Sequence, residues 1–356
     1  MNQTVSFKKN ERNIFFHILT RCNLKCRHCY INPRQHGKET LPSDIVIRWL
    51  RTLFDAKKET NVIFLGGEPT LHPELDLCIK EARKTGYRSI TVDTNGYLFN
   101  DILNKVTPEE VDYFSFSLDG ATKTVNDKIR GKGCYTKCTE GIKKAVSKGF
   151  RTSLIFTVSR LNIHELGQMP TLLNSLGIDR FFIQVIGIRG TPAKKRNDLQ
   201  PAKEEWTGLV PKVAQEAAFL GMRVTYPKVF LDKNEPFECA GVVADNFFIF
   251  PNGRVYQCPL CEDFAIHSHR FKKDTLTPLY GIRERELFQL SIPEGCVMNK
   301  ILQPGNLRYD ESGTPEYKIA CCLLKETVLA HSPAQAGLTA HSFRPDTEHR
   351  HGGNKL

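Results

Sequence analysis

Residues 14–30, with the sequence IFFHILTRCNLKCRHCY, join an apolar run directly to three closely spaced cysteines. The run at 14–19 has the β-branched and aromatic composition of a buried strand. Cys22, Cys26 and Cys29 follow it at once, so a short loop would bring three thiols to one place. The stretch therefore predicts a strand that ends in a metal or cluster site, and the rest of the chain can be interpreted around it.

The pattern of the first strand recurs along the chain. Five further runs of the same kind lie at residues 62–65, 89–92, 113–118, 152–158 and 181–186. Amphipathic stretches typical of helices separate most of them, at residues 43–57, 74–85, 137–148 and 163–176. Strands that alternate with helices indicate repeated βα units, and hence an α/β fold with a parallel sheet. The sheet would be either open and doubly wound or all or part of a barrel.

Composition excludes several classes of protein. The 356 residues are 40% hydrophobic and 25% charged, which is ordinary for a globular chain and not for a disordered or fibrous one. No apolar run reaches the roughly 18–20 residues of a membrane span. The polar N-terminus lacks a signal peptide, so we expect a cytoplasmic protein with reduced thiols. Twelve cysteines then favour metal binding or chemistry over disulfides.

The cysteine spacing itself favours an iron–sulfur cluster. Three residues separate the first pair and two separate the second, so three thiolates can hold three irons of a 4Fe–4S cluster. The fourth iron would keep an open position, as a catalytic metal needs. The alternative is a zinc knuckle completed by His28 or by a remote cysteine.

Polar motifs end the next three strands. Gly66-Gly67-Glu68-Pro69-Thr70, Thr94-Asn95-Gly96 and Ser117-Leu118-Asp119-Gly120 follow the second, third and fourth strands. Each motif alone predicts only a turn. Together they gather at the carboxyl ends of parallel strands, where α/β sheets and barrels bind ligands. The paired glycines would let a ligand approach the backbone closely and meet its N–H and C=O groups.

This combination resembles the radical S-adenosylmethionine (SAM) superfamily over residues 13–190. CNLKCRHCY is similar to the cluster loop of that family, GGEPT to its GGEP motif, and NDKIRG at 126–131 to a further conserved stretch. The resemblance implies a partial (βα)6 TIM-like barrel in which Cys22, Cys26 and Cys29 ligate a catalytic 4Fe–4S cluster. It also implies SAM contacts at Tyr30 (adenine), Gly66, Gly67, Glu68, Asn95, Ser117 (ribose) and Arg130 (carboxylate). For Arg130 the alternative is a solvated basic face.

A second cysteine group surrounds a predicted hairpin, FIFPNGRVYQC. Cys239, Cys258, Cys261 and Cys296 supply four thiolates, enough to close a cluster. The arrangement resembles the SPASM/twitch extension of radical SAM enzymes, which implies one auxiliary 4Fe–4S cluster, with Cys321 or Cys322 as alternative fourth ligands. A zinc-stabilised hairpin is the other interpretation. The remaining cysteines, Cys78, Cys134 and Cys138, are expected to be structural.

The predicted organisation is a barrel at 1–230, a small β-hairpin and helix Fe–S extension at 231–324, and a flexible tail at 325–356. The tail contains His331, His341, His349 and His351, and a metal-binding tail is the alternative. The basic run Lys194-Lys195-Arg196 is expected to be a solvated loop.

The sequence thus predicts a radical SAM oxidoreductase or modifying enzyme that cleaves SAM reductively and removes a hydrogen atom from its substrate. A peptide or protein side chain is favoured over a small metabolite. A flavodoxin- or ferredoxin-like donor would suit the net charge of +11 through electrostatic steering, whereas nucleic acid is not favoured. No catalytic base is singled out; Asp232, Glu238 and Asp245 qualify by residue type alone.

Two rival functions stay open at this point. One is a cofactor-maturation enzyme of the molybdopterin-precursor or tetrapyrrole type. The former family ends in a Gly-Gly pair, which Gly352-Gly353 matches poorly. The other is a non-enzymatic zinc or Fe–S protein that binds nucleic acid.

Overall fold

The computed structural model describes residues 2–5, 10–99, 101–194 and 199–329. In these ranges the strands are β1 (Asn2–Val5), β2 (Glu11–His17), β3 (Glu59–Leu65), β4 (Ser89–Thr94), β5 (Tyr113–Ser117), β6 (Thr152–Val158), β7 (Arg180–Val185), β8 (Arg223–Pro227), β9 (Phe230–Asp232), β10 (Asp245–Ile249), β11 (Arg254–Tyr256), β12 (His269–Lys272), β13 (Thr275–Pro278), β14 (Tyr317–Ile319) and β15 (Lys325–Val328).

The α-helices of the same ranges are α1 (Pro33–His36), α2 (Ser43–Leu53), α3 (Leu75–Thr85), α4 (Ile102–Lys105), α5 (Lys123–Arg130), α6 (Cys134–Ser147), α7 (Met169–Ser175), α8 (Lys203–Phe219), α9 (Ala240–Val243), α10 (Glu284–Phe288) and α11 (Val297–Leu302). Short 3-10 helices lie at Pro69–Leu71, Ile163–Gln168, Pro192–Lys194, Pro259–Cys261 and Pro304–Asn306. None of the described helices is long and apolar enough to cross a membrane.

The sheet confirms the predicted α/β fold. Strands β2 to β8 lie side by side in sequence order, and each pair is parallel. The six predicted strands correspond to β2–β7, with ends shifted by a few residues. In the described part of the chain no ladder joins the two edge strands, β1 and β13, so the sheet does not close. The architecture is consistent with a partial TIM-like barrel.

The two faces of the parallel strands have different surroundings because successive side chains of a strand point to opposite faces. In β3, for example, Val62 and Phe64 are fully buried under the helices, whereas Ile63 and Leu65 are partly exposed. Helices α2 and α3 cover the outer face with residues such as Leu50 and Ile79. The inner face is left free to line the interior of the barrel.

The C-terminal segment continues the barrel sheet at both edges. Strand β10 pairs in parallel with β2, and the predicted hairpin of β10 and β11 extends from there. At the other edge β15 pairs antiparallel with β8. Residues 325–328 are therefore a strand, and the prediction that the flexible tail begins at residue 325 is wrong. The rest of that predicted tail, with its histidines and Gly352-Gly353, lies outside the described residues.

Three further departures from the predicted elements follow from tertiary contacts. Strand β8 was not predicted, and it forms because β7 and β15 flank it. Helix α5 was also missed, although Thr122 caps its first turn through the Val125 amide. The predicted helix at 163–176 is split into a 3-10 segment and α7. Of the basic run at 194–196, the last two residues lie outside the described ranges.

Candidate functional site

The three cysteines of the first loop line one cavity. The loop follows β2, and an isolated bridge between Leu19 and Thr40 holds its start. The cavity, of about 720 Å³, is bounded by Cys22, Cys26 and Cys29. Its other lining residues are Thr20, Leu24, Lys25, Arg27, Ile31, Pro33, Gly67, Thr191 and Leu199. The structure thus brings together the three thiols that the sequence grouped by spacing.

The surroundings of Cys22 suit a metal-bound thiolate. The backbone amide of Leu24 lies 3.3 Å from its Sγ atom, and the Asn95 side-chain amide lies 3.7 Å away. Burial raises the pKa of the Cys22 thiol to about 12. Burial likewise raises the pKa of Cys26 and of Cys29. A bound cation would be needed to deprotonate all three at neutral pH, and N–H donors directed at sulfur would then stabilise the thiolate.

Glu68 holds two strand ends together below this loop. One carboxylate oxygen accepts hydrogen bonds from the Thr70 amide (3.2 Å), the Thr70 hydroxyl (2.6 Å) and the Thr94 hydroxyl (2.7 Å). The other accepts from the Asn95 amide at 2.7 Å. Asn95 in turn donates to Asn23 and Cys22. The buried Glu68 therefore positions Asn95 against the cysteine loop.

The paired glycines Gly66 and Gly67 allow the backbone of residues 19–21 to pack closely against them. The amides of Gly67 and Glu68 donate to the carbonyls of Leu19 and Arg21, each at 3.0 Å. A Cβ atom on Gly66 would lie 2.7 Å from the Leu19 carbonyl oxygen, and one on Gly67 would lie 2.5 Å from that of Thr20. The prediction that these N–H groups face a ligand is wrong for Gly67, whose amide is already bonded. Gly67 nevertheless lines the cysteine cavity.

A buried ion pair supports the cysteine loop from the opposite side. Arg130 is only 7% exposed, and its Nε atom lies 2.6 Å from Oδ2 of the fully buried Asp119. The Arg27 amide bonds to the Ile129 carbonyl at 2.9 Å, which ties the loop to the end of α5. The interpretation of Arg130 as a solvated basic residue is therefore wrong. Asp119, quoted only as part of a turn motif, was missed as its partner.

His28 belongs to the same group and not to the thiols. Its Nε2 atom lies 3.2 Å from Asp119 Oδ2. Burial lowers the pKa of His28 despite the neighbouring Asp119 carboxylate. His28 lines the barrel interior instead of the cysteine cavity. This placement disfavours a zinc knuckle completed by His28.

Ser117 and Tyr30 differ in their availability to a ligand. Ser117 is half-buried at the end of β5, and within the described residues its hydroxyl makes no hydrogen bond. Tyr30 places its hydroxyl 2.7 Å from His17 Nε2, and the Arg189 guanidinium lies 4.4 Å above its ring. Tyr30 lines the barrel cavity, whereas the cysteine cavity begins on the other side of Cys29. Its expected contact with adenine stays a prediction.

The barrel interior forms a second cavity, of about 280 Å³. Strands β2, β4, β6 and β7 contribute polar groups to it, and the C-terminal segment covers it. The charged and amide side chains that line it are Asp93, Gln184, Arg189, Glu262, Asn299, Gln303, Asn306 and Lys325. By size and by its mixture of apolar and polar lining, it is the candidate substrate site.

None of the three carboxylates considered as a base reaches this cavity. Asp245 lies at the opposite end of β2, where its Oδ2 is 2.7 Å from both Arg12 Nε and Lys58 Nζ. Asp232 and Glu238 are exposed. Asp93 was not predicted from the sequence. The one available signal was its place next to the Thr94-Asn95-Gly96 motif, on the alternate face of the strand.

Six cysteines converge in the C-terminal segment. A small cavity is lined by Cys239, Cys258, Cys296, Cys321 and Cys322. Cys261 is fully buried beside them, and a thiol contact joins it to Cys258. The structure therefore gathers both the four predicted cysteines and the two alternatives. Burial raises the pKa of Cys239 and of Cys296 to about 12, whereas a hydrogen bond from Cys322 lowers the pKa of Cys321 to about 7.

Glu284 organises the turn that carries Cys258. Its buried carboxylate accepts hydrogen bonds from the amides of Gln257 (2.8 Å), Cys258 (3.1 Å) and Ser268 (3.2 Å) and from the Ser268 hydroxyl (2.7 Å). Burial raises the pKa of Glu284 to about 7. One side chain thus anchors the hairpin to α10.

The three remaining cysteines line neither of the two cysteine cavities. Cys78, Cys134 and Cys138 are buried on α3 and α6, as expected for structural thiols. Across the ranges that the structure describes, no group of three or more His, Cys, Asp or Glu is placed to hold a single metal ion. Cys22, Cys26 and Cys29 line one cavity, and five of the six C-terminal cysteines line another.

Comparisons with known proteins agree with this geometry. The model of the radical SAM superfamily matches residues 16–173, which contain the first cysteine loop and all the strand-end motifs described above. Fe-coproporphyrin III synthase of Methanosarcina barkeri is 29% identical over 197 residues, which are 54% of this chain and 49% of that protein. A probable GTP 3′,8-cyclase of Saccharolobus islandicus is 26% identical over 256 residues, or 69% of this chain and 82% of that protein.

A solved structure shares the fold. Streptococcus suis SuiB bound to S-adenosylmethionine superposes with a TM-score of 0.60 at 15% identity, covering 83% of this chain and 66% of SuiB. The chain spans about half the length of the synthase named above. The relatives named above are enzymes, which favours an enzyme over the non-enzymatic alternative. Residues 16–173 therefore match the radical SAM superfamily, and the cysteine loop and the strand-end motifs all lie inside the matched range.

Proposed function

We propose that this protein cleaves SAM reductively and uses the resulting radical to remove a hydrogen atom from a substrate held in the barrel. The observation that carries the proposal is the position of Cys22, Cys26 and Cys29. They line one cavity at the carboxyl end of the parallel strands, directly beside the barrel cavity. When bound there, a 4Fe–4S cluster would supply the electron that splits SAM into methionine and a 5′-deoxyadenosyl radical.

The residues of the chain would hold and orient the bound groups. The three cysteines would hold three irons, and the Leu24 and Asn95 N–H groups would stabilise the Cys22 thiolate. The free Ser117 hydroxyl is available to a ribose. Arg130 uses its Nε atom on Asp119 and keeps further N–H groups for a carboxylate. Contacts of SAM with Tyr30, Gly66, Gly67, Glu68 and Asn95 belong to the same proposal.

The second cysteine group is proposed to hold an auxiliary 4Fe–4S cluster of the SPASM/twitch type. Six thiols around one small cavity are more than one cluster needs. Cys239, Cys258, Cys261 and Cys296 remain the favoured set, with Cys321 or Cys322 as the alternative fourth ligand. Glu284 would keep the Cys258 turn in place for ligation.

The barrel cavity favours a small polar substrate group, such as the side chain of a peptide. Its volume of about 280 Å³ is near the lower end of small-molecule sites. A side chain fits such a space more readily than a tetrapyrrole macrocycle. Among solved structures of similar fold, SuiB has been captured with its precursor peptide SuiA.

A cofactor-maturation function is the second candidate, and the sequence relatives favour it. They include the Fe-coproporphyrin III synthase and the GTP 3′,8-cyclase described above. A nucleoside triphosphate would need several cations, however. In the described part of the cavity lining, Arg189 is already paired with Glu262, which leaves Lys325 to bind an anion. The cavity therefore favours the first candidate.

The electron donor would dock beside the cysteine loop. Arg21, Lys25 and Arg27 are exposed there, and no carboxylate of the described residues lies within ion-pair distance of them. An acidic flavodoxin- or ferredoxin-like protein would be steered to such a surface.

Anaerobic reconstitution tests the proposed function. We expect about eight irons per chain for two 4Fe–4S clusters and, with SAM and dithionite, formation of 5′-deoxyadenosine. Cys26→Ala should lose about four irons and all 5′-deoxyadenosine, whereas Cys261→Ala should lose about four irons from the auxiliary site. Cys78→Ala, which removes a buried thiol from α3, is the matched control. Retention of SAM cleavage by Cys26→Ala would overturn the assignment.

A further inference from the structure

We propose that the barrel cavity binds a substrate group with charges of both signs, its anionic part beside Lys325 and its cationic or hydrogen-bond-donating part beside Asp93. The inference rests on the proposed function and names its substrate class: an amino acid, or an amphoteric segment of a peptide.

Asp93 and Lys325 lie on strands that face each other across the barrel. Asp93 is on β4 and Lys325 is on β15, and β5, β6, β7 and β8 separate them along the sheet. The two side chains are nevertheless near enough to interact electrostatically. Both side chains line the barrel cavity. The cavity is therefore bounded by a carboxylate on one side and by an ammonium group on the other.

The two charges are not paired with each other. Among the described residues, no carboxylate lies within 4.0 Å of the Lys325 ammonium group, and no Lys or Arg side chain lies within that distance of the Asp93 carboxylate. The Lys325 Nζ atom lies 5.5 Å from the centroid of the Phe182 ring, and its charge interacts with the Cys322 thiol and the Asp93 carboxylate. Asp93 has the Ser115 hydroxyl beside it and the Glu68 carboxylate further away. Two unpaired opposite charges in one interior are costly unless a ligand completes them.

Other charged groups of the cavity already have partners. Arg189 forms an ion pair with Glu262 and donates to the Pro259 carbonyl. His28 contacts Asp119, and His17 is bonded to Tyr30 and to the Ile249 carbonyl. Burial lowers the pKa of His17 far enough to keep the ring neutral. Asp93 and Lys325 are thus the groups whose charges a substrate can meet.

Amide side chains add directional hydrogen-bonding groups to the same cavity. Gln303 donates to Asn299 at 2.5 Å and accepts from Gln200 at 2.5 Å, so α11 and the following turn hold a fixed row that ends in Asn306. Gln184 on β7 faces the same space. Amides that line a cavity in this way suit the C=O and N–H groups of an amino acid or peptide.

Binding of ω-amino carboxylic acids to the reconstituted holoenzyme with SAM and without reductant tests this inference. The series from glycine to 8-aminooctanoate carries an ammonium and a carboxylate group at increasing separation. Alkyl amines and alkyl carboxylates of matched length carry only one of the two charges. Calorimetry should show one chain length that binds at least tenfold more tightly than either matched single-charge compound. In Asp93→Asn, the amino acid should bind no more tightly than the matched carboxylate. In Lys325→Met, it should bind no more tightly than the matched amine.

The controls separate a ligand site from a structural role. Lys272→Met on β12 and Asp232→Asn on β9 remove exposed charges outside the cavity and should bind like the wild type. Asp93→Glu and Lys325→Arg should restore part of the affinity, which shows that charge and not folding is measured. Equal affinity for all compounds, or unchanged binding in both cavity variants, would refute the inference. The inference would also be refuted if Lys325→Met altered the spectrum of the auxiliary cluster and left ligand binding intact. Lys325 would then interact with Cys322 and not with the substrate.

Failure of this binding test is distinguishable from failure of the proposed function. No SAM cleavage is needed for ligand binding, and no ligand is needed for 5′-deoxyadenosine formation from SAM and dithionite. A protein that cleaves SAM but does not discriminate between the compounds would retain the proposed function and lose this substrate assignment.

Discussion

Asp119 connects more of the catalytic region than any single motif suggested. Its Oδ1 atom accepts from the Thr157 amide at 2.7 Å, and its Oδ2 atom contacts both Arg130 and His28. The carboxylate is fully buried, so its charge depends on Arg130 for compensation. The ion pair fixes the end of α5, to which the cysteine loop is bonded through Arg27.

We expect Asp119→Asn and Arg130→Met each to destabilise the protein by about 3–5 kcal/mol, because each leaves a buried charge unpaired. The double variant should cost clearly less than the sum, since no charge is then left alone. Thermal unfolding of the four proteins measures this coupling.

The exposed pair of Arg308 and Glu204, at 2.8 and 3.0 Å, is the matched control. Its Arg308→Met and Glu204→Gln cycle should give a coupling of about 0–1 kcal/mol. Equal coupling in the two cycles would contradict the importance of burial.

Asp93 provides a pH-dependent prediction at the same scale. Burial raises the pKa of this carboxyl to about 7. Below its unfolded value of about 3.8 the group is protonated in both states, so it has no effect. As pH rises toward 7 the unfolded state releases its proton first, and the wild type loses stability. The melting temperature of Asp93→Asn minus that of the wild type should therefore increase from pH 4 to pH 7 and stay constant above pH 7.

The other buried carboxyls with raised pKa, Glu68, Glu262 and Glu284, are present in both proteins, so their own titration contributes to both melting curves. A melting-temperature difference that is constant between pH 4 and 8 would be evidence against a raised pKa at Asp93.

At the scale of elements, the hairpin of β10 and β11 brings the two halves of the site together. Its turn was recognisable from Pro251-Asn252-Gly253, but its position was not. Parallel pairing with β2 places Ile249 opposite Phe16 and its carbonyl 3.0 Å from His17 Nδ1. The strand that leads into the first cysteine loop therefore also supports the hairpin of the second cysteine group.

Glu284→Ala should detach that hairpin from α10. Three amides and a hydroxyl would lose their acceptor, at roughly 1–3 kcal/mol for each buried donor left unsatisfied. We expect the iron content to fall from about eight to about four per chain, because the Cys258 turn would no longer be fixed. Glu284→Gln, which keeps an acceptor oxygen, should be milder. Glu311→Ala, in an exposed turn, should retain all the iron.

At the scale of the whole molecule, one open sheet serves both cysteine groups and the space between them. The barrel cavity touches Tyr30, next to Cys29, at one side and Cys322 at the other. The exposed cations beside the first loop give the excess charge of +11 a local role. That role is to attract an acidic one-electron donor, as proposed above.

The rate of reduction by flavodoxin should therefore fall steeply with salt, since attraction between exposed charges is screened over about 10 Å at 0.1 M. Lys25→Glu should weaken flavodoxin binding and slow the flavodoxin-driven reaction by about tenfold at low salt. The dithionite-driven reaction should be unchanged. Lys272→Glu, on the distant β12, is the control with the same change in net charge. A salt-independent rate would contradict steering.

Much of the barrel was predictable because its signals are local. Alternation along β3 to β6, the spacing of the first cysteine loop and the turn at residues 251–253 all depend on neighbours in sequence. Arg130 was recognised by its motif, but its burial was not, because a basic stretch looks solvated until α5 is packed. Lys325 was assigned to a flexible tail for the same reason, since a strand at the end of a chain becomes visible only beside its partner, here β8.

The sequence by itself determined the alternation of strands and helices, the grouping of Cys22, Cys26 and Cys29, and the family that these features resemble. Only the tertiary structure decided that Gly67 makes room for the chain, that Asp119 pairs with Arg130, and that Asp93 and Lys325 face one cavity. The physical reason is distance along the chain. Contacts such as that between Asn13 and Asn246, 233 residues apart, depend on the pairing of β10 with β2, and no local pattern encodes that pairing.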